Sequence, residues 1–312
     1  MIVVFGSINI DLIMQVKRFP AAGETVITPG YDWMPGGKGM NQAVAAARAG
    51  AKVAMVGRIG DDGFGTRAIN ILRRESILSS GVVLSEELPT GCATVFVNEA
   101  GEKQVVLAQG ANAHVSTEQL PDDILGPGNV LLLQMELPED VNWDVLARAS
   151  NAGAKTILNL APAHSLPRGA LQYLDYLILN RLEAEQIATK LGLHIETDAL
   201  KLAHALSRGS NLTCIITLSG KGSVAVQGDR GWRVPPLPLE TPVVDSTGAG
   251  DTFCGVFAAS IHQRMSLPDA LRRASVAGSL SVRAHGAQTA MPYLDDIATY
   301  LPQLPPLEEI EF

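Results

Sequence analysis

Cysteine is scarce in this chain, and its spacing argues against two classes of cross-linked fold. The sequence has only three cysteines, Cys92, Cys214 and Cys254, which lie far apart with no Cys-x-x-Cys pair. Disulfide frameworks and structural zinc sites need closely spaced cysteines or histidines. We therefore expect three reduced thiols that are buried in the core.

Basic clusters and long apolar runs are also missing. The net charge is −8 and no run of lysine or arginine stands out, which argues against nucleic acid as the main partner. No apolar stretch approaches the ~20 residues of a membrane-spanning helix. Met1 leads directly into the strand-like run Ile2–Phe5, without the features of a secretory leader. These absences predict a soluble, cytoplasmic protein.

The chain does contain a repeated alternation of short apolar runs and amphipathic stretches. Hydrophobic residues make up 46% of it, enough for a sizeable core. Continuous apolar runs are typical of strands buried on both faces of a sheet. The predicted strands are Ile2–Phe5, Val53–Val56, Val130–Leu133, Thr156–Leu160, Tyr176–Leu179 and Cys214–Leu218, and the predicted helices are Asn41–Ala49, Thr66–Glu75, Trp143–Ala149, Arg181–Leu191 and Asp198–Arg208. The alternation predicts an α/β fold with a mostly parallel sheet, helices on both faces and ligands at the carboxyl ends of the strands.

Two segments interrupt this alternation, at residues 12–35 and 89–109. The first holds a Pro-Ala-Ala-Gly-Glu-Thr turn, and the second has two β-branched runs around Asn98–Glu102, as in a β-hairpin. Together they predict a small extra sheet, which is either a set of ordinary surface hairpins or a lid over a binding site. In the absence of a linker, residues 1–312 are expected to form one domain with these segments inserted. The proline-rich, acidic residues 302–312 are expected to form a peripheral tail.

The segment Val243–Phe253 has the strongest signal for chemistry. It begins with an apolar, strand-like pair, and Gly248 and Gly250 allow a tight turn whose backbone can approach an anion. The run that follows is apolar and helical. The N–H groups from Gly248 to Asp251 are therefore expected at a helix N-terminus, which favours a phosphoryl group. Asp251 is then either the N-cap of that helix or a catalytic base.

Polar residues also follow the first predicted strand. Asn9 and Asp11 would share one face of an extended segment, where an amide and a carboxylate could hold sugar hydroxyls; a polar turn is the alternative. Gly36–Asn41 then opens an Ala-rich helix and matches neither a Walker loop nor a GxGxxG fingerprint. Its glycines permit close backbone approach, which suits a small polyol.

Two longer segments resemble a known family. Gly36–Arg48 (GGKGMNQAVAAAR) and Asp245–Phe253 (DSTGAGDTF) resemble the two signatures of the ribokinase (phosphofructokinase-B) family of carbohydrate kinases, with similarity from residue 1 to about residue 298. The segments Gly6–Asp11 and Gly110–Ala113 add to the resemblance. The family implies a three-layer sandwich with a mostly parallel central sheet. It also implies a small β-sheet lid that forms a dimer contact.

The resemblance implies roles around the sugar and the transferred phosphoryl group. Asp251 is implied to be the catalytic base, and the N–H groups of Gly248, Ala249 and Gly250 are implied to stabilise the transferring group. The positions implied to contact the sugar are Asn9, Asp11, Gly37, Lys38, Asn41, Glu136 and Asp251. Without the resemblance, Glu136 would be interpreted as a surface carboxylate.

A nucleotide site is implied as well. Its positions are Asn180, Thr217, Ser219, Gly220, Gly222, Gly250 and Ser275. Glu183 is implied to support Mg²⁺ indirectly, although locally Asn180 and Glu183 have the spacing of a helix capping box.

A monovalent-cation site built largely from backbone oxygens is the third implied site. Its positions are Asp245, Thr247, Ser281, Ala284, Gly286 and Ala290. Family members often have Ser in place of Ala290, so this chain lacks one side-chain oxygen there. On the lid hairpin, Cys92 and Thr94 replace aliphatic side chains and are expected to face the sugar.

These inferences predict an ATP-dependent kinase for the terminal hydroxyl of a furanose such as D-ribose. Mg²⁺ and K⁺ are the expected cofactors, and a homodimer through the lid is the expected assembly, with no nucleic-acid or membrane partner. Kinases of a nucleoside, a ketohexose or pseudouridine are the alternatives within the family. A non-catalytic sugar-binding regulator is a more distant alternative, since it would not need Asp251 beside an anion site.

Overall fold

The computed structural model describes residues 1–312 and contains one large and one small β-sheet. The strands are β1 Ile2–Phe5, β2 Asn9–Gln15, β3 Asp32–Gly36, β4 Val53–Gly60, β5 Leu78–Ser85, β6 Gly91–Val97, β7 Lys103–Ala108, β8 Val130–Gln134, β9 Lys155–Asn159, β10 Tyr176–Asn180, β11 Thr213–Thr217, β12 Ser223–Gln227, β13 Arg230–Val234 and β14 Glu308–Glu311. The large sheet has ten strands in the order β14-β13-β12-β11-β10-β9-β8-β1-β4-β5. In this order, the seven neighbouring strands β11, β10, β9, β8, β1, β4 and β5 pair in parallel. The strands β12, β13 and β14 extend the sheet beyond β11 in antiparallel fashion.

Helices cover both faces of the large sheet. They are α1 Lys38–Arg48, α2 Gly63–Arg74, α3 Glu139–Asn151, α4 Arg181–Lys190, α5 Ala199–Ser207, α6 Ala249–His262, α7 Leu267–Leu280 and α8 Leu294–Tyr300. One hydrophobic cluster contains buried residues of α1, α6 and α7, and the other contains those of α3, α4 and α5. The predicted three-layer α/β fold is thus confirmed.

The strand β1 shows why its sequence is apolar throughout. Ile2 and Val4 belong to the cluster on one face of the sheet, whereas Val3 and Phe5 belong to the cluster on the other face. All four side chains are fully buried. Because successive side chains of a strand point to opposite faces, a central strand covered on both sides has no position for a polar residue.

The small sheet, which we call the lid, contains four strands in the order β3-β2-β6-β7. It corresponds to the two segments that interrupt the alternation, although its first strand begins at Asn9 rather than Leu12. The strand β2 follows β1 after three residues, so the lid starts at the carboxyl end of a central strand of the large sheet. This connection places lid residues beside the edge where ligands bind in such folds.

Two local predictions were wrong. Residues 302–312 lie at the periphery as expected but do not form a tail, because β14 pairs with β13 as the edge strand of the large sheet and the ring of Phe312 lies 4.1 Å from that of His204. Val243 and Val244 do not form a strand either, since both are exposed in an irregular segment.

All three cysteines are free, and Cys214 and Cys254 are buried as expected, whereas Cys92 is only partly buried, on the lid strand β6. None of the helices has the length and apolar character needed to cross a membrane.

Candidate active site

Polar residues collect where the parallel strands end. Ser7 follows β1, Glu136 follows β8, and Asn159, Asn180 and Thr217 are the last residues of β9, β10 and β11. Parallel strands bring their carboxyl ends to one edge, so residues distant in sequence meet there. The predicted sugar and nucleotide positions lie along this edge.

Asn9 and Asp11 project from the same face of β2, as predicted from their alternation. The Oδ1 atom of Asn9 accepts a hydrogen bond of 2.7 Å from Nδ2 of Asn112, which leaves the Asn9 amide N–H₂ available to a ligand. Asn112 is itself fixed, because its side chain pairs with both the N–H and the carbonyl of Ile8. Asn9 can therefore offer a donor beside the acceptor oxygens of Asp11.

The glycines of Gly36–Asn41 are explained by close contacts. Asn9 pairs with Gly36 across β2 and β3, and a Cβ atom on Gly36 would lie 2.2 Å from Oδ1 of Asp11. Gly37 has a φ of +85° and precedes α1, with the backbone of Asn9 only 2.8 Å from the position of a Cβ. The segment thus brings the start of α1 directly against the sugar-facing strand.

Glu136 joins three segments of the site. Its Oε2 atom accepts hydrogen bonds from Oγ of Ser7 at 2.5 Å and from the backbone N–H of Lys38 at 2.9 Å. The Ser7 hydroxyl also accepts a bond from the N–H of Gly39. Glu136 is therefore a partly buried carboxylate that holds the start of α1, not a free surface residue. Neither Ser7 nor Asn112 was predicted to have a role of its own, because their partners are distant in sequence.

Asp251 lies in the first turn of α6 and is buried, with an exposed fraction of 6%. It is not the N-cap, since Gly248 occupies that position and no side chain caps this helix. Its Oδ2 accepts from Nδ2 of Asn41 at 3.1 Å and its Oδ1 from Nε2 of Gln42 at 3.0 Å. The structural alternative raised by the sequence, a capping aspartate, is thereby excluded.

The N-terminus of α6 presents free backbone donors. Gly248 has a φ of +76°, and the N–H groups of Gly248, Gly250 and Asp251 donate no hydrogen bond within the protein. Ala249 differs from the prediction, because its N–H donates to the carbonyl of Ser246 at 3.2 Å. A Cβ on Gly250 would meet no atom within 4 Å, so this turn faces open space. Free N–H groups at a helix N-terminus beside open space can accommodate an anion.

One partly buried cation, Lys38, lies among several carboxyl groups. The pKa of Lys38 is raised, first by the charge of Asp251 and further by Glu136 and Glu183, against the opposing effect of burial. Burial raises the pKa of Asp11 to about 7, with further contributions from Glu136 and Asp251. Burial likewise raises the pKa of Glu183. This excess of carboxyl groups at the sugar end is suited to hydroxyl groups, which donate hydrogen bonds to carboxylates.

The predicted nucleotide residues line the neighbouring part of the edge. An open cleft of about 800 Å³ includes Asn180, Thr217 and Ser219 in its wall. Ser219 has a φ of +54°, and the exposed Gly220 has no neighbour near its Cβ position. Asn180 and Glu183 form the capping box of α4, with bonds of 2.8 and 2.7 Å, so the local interpretation of this pair is confirmed.

Gly222 and Ser275 lie behind this loop. Gly222 has a φ of +84°, and its Cβ position is 2.0 Å from the carbonyl oxygen of Val234. Ser275 is buried in α7, and its hydroxyl donates to the carbonyl of Pro235 at 2.9 Å. Both residues thus fix the segment that follows β13 beside the loop.

The predicted cation loop is closed by an unexpected lysine. Oδ1 of Asp245 accepts from the N–H and hydroxyl of Thr247 and from Nζ of Lys103, a lid residue, at 3.1 Å. Oδ2 accepts only from the N–H of Gly286, at 3.1 Å. Burial opposes ionisation of Asp245, but these bonds together lower its pKa, so the residue is ionised. Ser281 is buried with its hydroxyl on the Gly278 carbonyl, while Ala284 and Ala290 offer only backbone oxygens.

The expected orientation of Cys92 and Thr94 was wrong. In the parallel pairing of β2 with β6, Asp11 is matched with Ala93 and Ile13 with Val95, whereas Cys92 is matched with Ile10. Matched residues share a face of the sheet. Ala93 and Val95 therefore lie on the side of Asp11, and the two polar substitutions lie on the other side.

Comparison with known proteins identifies the class to which this fold and site belong. The sequence matches the pfkB family of carbohydrate kinases over residues 1–294, and the chain belongs to this family. A ribokinase of Schizosaccharomyces pombe is 34% identical over 309 residues, which cover 95% of this chain and 96% of that protein.

Solved structures agree with the family assignment. The ribokinase of Thermotoga maritima has a TM-score of 0.88 and 30% identity, covering 96% of this chain and 99% of that one. The ribokinase of Arabidopsis thaliana, solved with ribose and ATP, has a TM-score of 0.87 and 30% identity, covering 96% and 98%.

Proposed function

We propose that this protein transfers the γ-phosphoryl group of ATP to the terminal hydroxyl of D-ribose, giving D-ribose 5-phosphate. The observation that carries the proposal is the position of Asp251, buried and held by two amides, beside the free N–H groups that begin α6. Family membership and the ribokinase relatives support the same reaction. ATP and the sugar are its small-molecule partners, and a cytoplasmic location is proposed because ATP is available there.

The sugar end is proposed to use a donor and acceptor pair from the lid. Asn9 offers its amide N–H₂ and Asp11 its carboxylate on one face of β2. Asn41 and Lys38 approach from α1, while Gly37 allows that approach and Glu136 fixes it. A site that pairs buried polar groups with hydroxyls rejects analogues that lack them. This arrangement favours a polyhydroxylated furanose.

Asp251 is proposed to accept the proton of the attacking hydroxyl as its oxygen forms a bond to the γ-phosphorus. The bond that breaks joins the γ-phosphorus to the bridging oxygen of the leaving ADP. The N–H groups of Gly248 and Gly250 stabilise negative charge on the transferring group, and the charge of Lys38 adds to this effect. The N–H of Ala249 contributes less to this stabilisation, because it already donates a hydrogen bond to the carbonyl of Ser246.

A magnesium ion would fit beside Glu183. The capping box uses Oε2 of this carboxylate and leaves Oε1 without a hydrogen-bond partner. No three His, Cys, Asp or Glu residues are grouped to hold a metal, so the ion is proposed to arrive with the nucleotide. Mg²⁺ commonly binds through one or two carboxylates together with substrate phosphates and water, and it neutralises phosphate charge during transfer.

A potassium ion would fit at Oδ2 of Asp245, the oxygen with a single hydrogen bond. Thr247, Ser281, Ala284 and Gly286 are proposed to add backbone oxygens. Ala290 supplies no side-chain ligand, and the Lys103 ammonium already brings positive charge to the same carboxylate. We therefore propose a weakly binding cation site that orders the turn before α6.

The substrate assignment can be tested by a coupled ATPase screen over ribose, deoxyribose, fructose, tagatose, pseudouridine and the common nucleosides. Ribose should have the highest kcat/KM. A nucleoside that exceeds ribose by more than about tenfold, or about 1.4 kcal/mol of transition-state preference, would show that the substrate is wrong. Sugar binding without any turnover would instead support the regulator.

A further inference from the structure

Two glutamines outside the predicted site residues lie between Asp251 and the central sheet. Gln42 belongs to α1 and is fully buried, and Gln134 is the last residue of β8, with an exposed fraction of 1%. Side-chain amides this deeply buried are retained only where their hydrogen bonds are met. Their contacts therefore indicate what the two residues do.

In one orientation, both N–H donors and the oxygen of the Gln42 amide have hydrogen-bond partners. Its Nε2 donates to Oδ1 of Asp251 and to Oδ1 of Asn159, both at 3.0 Å. Its Oε1 accepts from Nε2 of Gln134 at 2.9 Å. Turning this amide by 180° would place its oxygen against the carboxylate of Asp251 and its N–H₂ against the N–H₂ of Gln134. Asp251 and Gln134 thus fix the same orientation from opposite ends.

This orientation of Gln42 leaves one polar atom of Gln134 without a hydrogen bond. Oε1 of Gln134 is buried without any hydrogen-bond partner, and a Cβ on Gly6 would lie 2.1 Å from it. A buried oxygen left without a hydrogen bond destabilises the fold. Turning the amide of Gln134 by 180° would place its nitrogen against Gly6 and its oxygen against Oε1 of Gln42, so that two acceptors would face each other. The arrangement that is present keeps an N–H donor on Asp251 and leaves the unpaired oxygen farthest from it.

We propose that Gln42 and Gln134 are positioning residues for Asp251: Gln42 holds one carboxylate oxygen as a donor, and Gln134 fixes the amide of Gln42. Asn41 holds the other oxygen. The two donors fix the rotamer of the carboxylate and stabilise its charged form, which is the form that accepts a proton. This inference rests on the proposed function of Asp251 as the base.

The charges around Asp251 show why such donors are needed. Asp11 on β2 and Glu183 on α4 are carboxyl groups whose pKa is raised by burial, and Glu136 lies beside the positive Lys38 on α1. The thiol of Cys254, also on α6, is fully buried and stays neutral, since burial raises its pKa. Three carboxyl groups around one ammonium disfavour a further negative charge. Hydrogen bonds from amides to the charged form oppose that effect.

The first test is the pH profile of kcat in Gln42→Met, measured at saturating sugar and ATP. Methionine keeps the length of the side chain and removes the donor. We expect kcat at pH 7 to fall about tenfold and the acid limb of the profile to move up by about one pH unit. The KM for ATP should stay within about twofold of the wild-type value.

Gln134→Met separates this role from stability. The change removes the unpaired Oε1 together with the donor to Gln42, so the melting temperature should change little. The acid limb should nevertheless move in the same direction as in Gln42→Met, by less. Because Gln134 acts only through Gln42, the double variant should match Gln42→Met alone rather than add the two shifts.

Asn142→Leu is the matched control. This fully buried amide donates to the backbone carbonyl of Gln134 and makes no hydrogen bond with Gln42 or Asp251, so the substitution should lower the melting temperature without moving the acid limb. An unmoved limb in Gln42→Met, additive shifts in the double variant or an equal shift in Asn142→Leu would each overturn the inference. Wild-type turnover in Asp251→Asn would instead overturn the proposed function, so the two failures are distinguishable.

Discussion

At the scale of single residues, the two oxygens of Asp251 both accept hydrogen bonds from amide donors, and this sets the expected behaviour of Asp251→Asn. The new N–H₂ group must face one of those donors, so one bond is lost, at a cost of about 1 kcal/mol. The larger effect should be on kcat, which we expect to fall about 10²–10⁴-fold because the base is gone. ATP affinity, measured by calorimetry, should be unchanged.

A merely structural aspartate would behave differently. If Asp251 only supported the start of α6, asparagine would serve nearly as well as a polar residue in the first turn. A kcat within about threefold of wild type would therefore rule out the base assignment.

Asp11 should link sugar binding to pH. Its pKa is raised from 3.8 to about 7, chiefly by burial, so the folded protein without sugar favours the neutral form. The unfolded chain ionises near pH 4, and this residue therefore destabilises the fold increasingly as pH rises from 4 to 7. At pH values above 7, Asp11→Asn should raise both the melting temperature and the free energy of unfolding, the latter by about 1–3 kcal/mol. Near pH 4 it should have little effect on either. Thermal melts without sugar from pH 4 to 9 measure this difference.

Bound sugar should favour the charged form of Asp11, because hydroxyl groups donate hydrogen bonds to the carboxylate. The KM for ribose of the wild type should therefore rise as pH falls below 7, and Asp11→Asn should bind ribose weakly at every pH. The exposed Asp123→Asn is a suitable control and should show neither change. Equal melting temperatures for Asp11→Asn and wild type at pH 8 would contradict the buried, unpaired state of Asp11.

Sequence patterns could identify only some of these residues. Asn9 and Asp11 are two apart on a strand, and the glycines around Asp251 are adjacent, so their arrangement is local. Asn112 supports Asn9 from 103 positions away, and Gln134 supports Gln42 from 92 positions away. Such roles depend on which strand ends become neighbours, and no short-range spacing contains that information.

At the scale of elements, the same distinction separates the confirmed predictions from the wrong ones. The central strands were predictable because burial on both faces demands continuous apolar runs. Strand β14 has a single apolar residue, Ile310, in a run of glutamates, and it forms by pairing with β13 and through the Arg230–Glu309 ion pair. The face of Cys92 depends on the register between β2 and β6, which a shift of one residue would reverse.

The lid element should also influence the response to cations, through Lys103. Its Nζ contacts Asp245 and Thr247, and on β3, at the opposite edge of the lid, Sδ of Met34 lies 2.7 Å from the Cβ position of Gly286. Lys103→Met removes the ammonium, so an added cation can neutralise the charge of Asp245 in its place. The ratio of rates in K⁺ and in tetramethylammonium should rise several-fold, and K⁺ should raise the melting temperature more than it does in wild type.

Lys17→Met is the control for the loss of one lid-region charge, since Lys17 is exposed and forms no ion pair. Its K⁺ ratio should equal that of the wild type. An unchanged ratio in Lys103→Met would mean that this lysine does not compensate for a cation.

At the scale of the whole molecule, the lid is the part whose surface is hardest to reconcile with an isolated chain. Val105, Val106 and Leu107 on β7 have exposed fractions of 58%, 66% and 42%, and Trp33 on β3 is exposed as well. Consecutive exposed apolar residues on an edge strand leave both an apolar surface and unpaired backbone groups open to association. Helices cover both faces of the large sheet, although its edge strand β5 also exposes Leu78, Val83 and Leu84.

We therefore expect a homodimer that buries the lid, and expect its loss in Val106→Asp. The aspartate would place a charge within the apolar surface, which is unfavourable once water is excluded. Sedimentation velocity at micromolar concentration should show a dimer for the wild type and a monomer for Val106→Asp. Ile195→Asp, at a residue with 44% exposure between α4 and α5, adds the same charge elsewhere and should remain dimeric.

Because Ala93 and Val95 of the adjoining strand share the face of Asp11, the monomer should also bind ribose more weakly while its ATP affinity is retained. A monomeric wild type, or a Val106→Asp protein that stays dimeric, would show that the lid does not form the subunit contact.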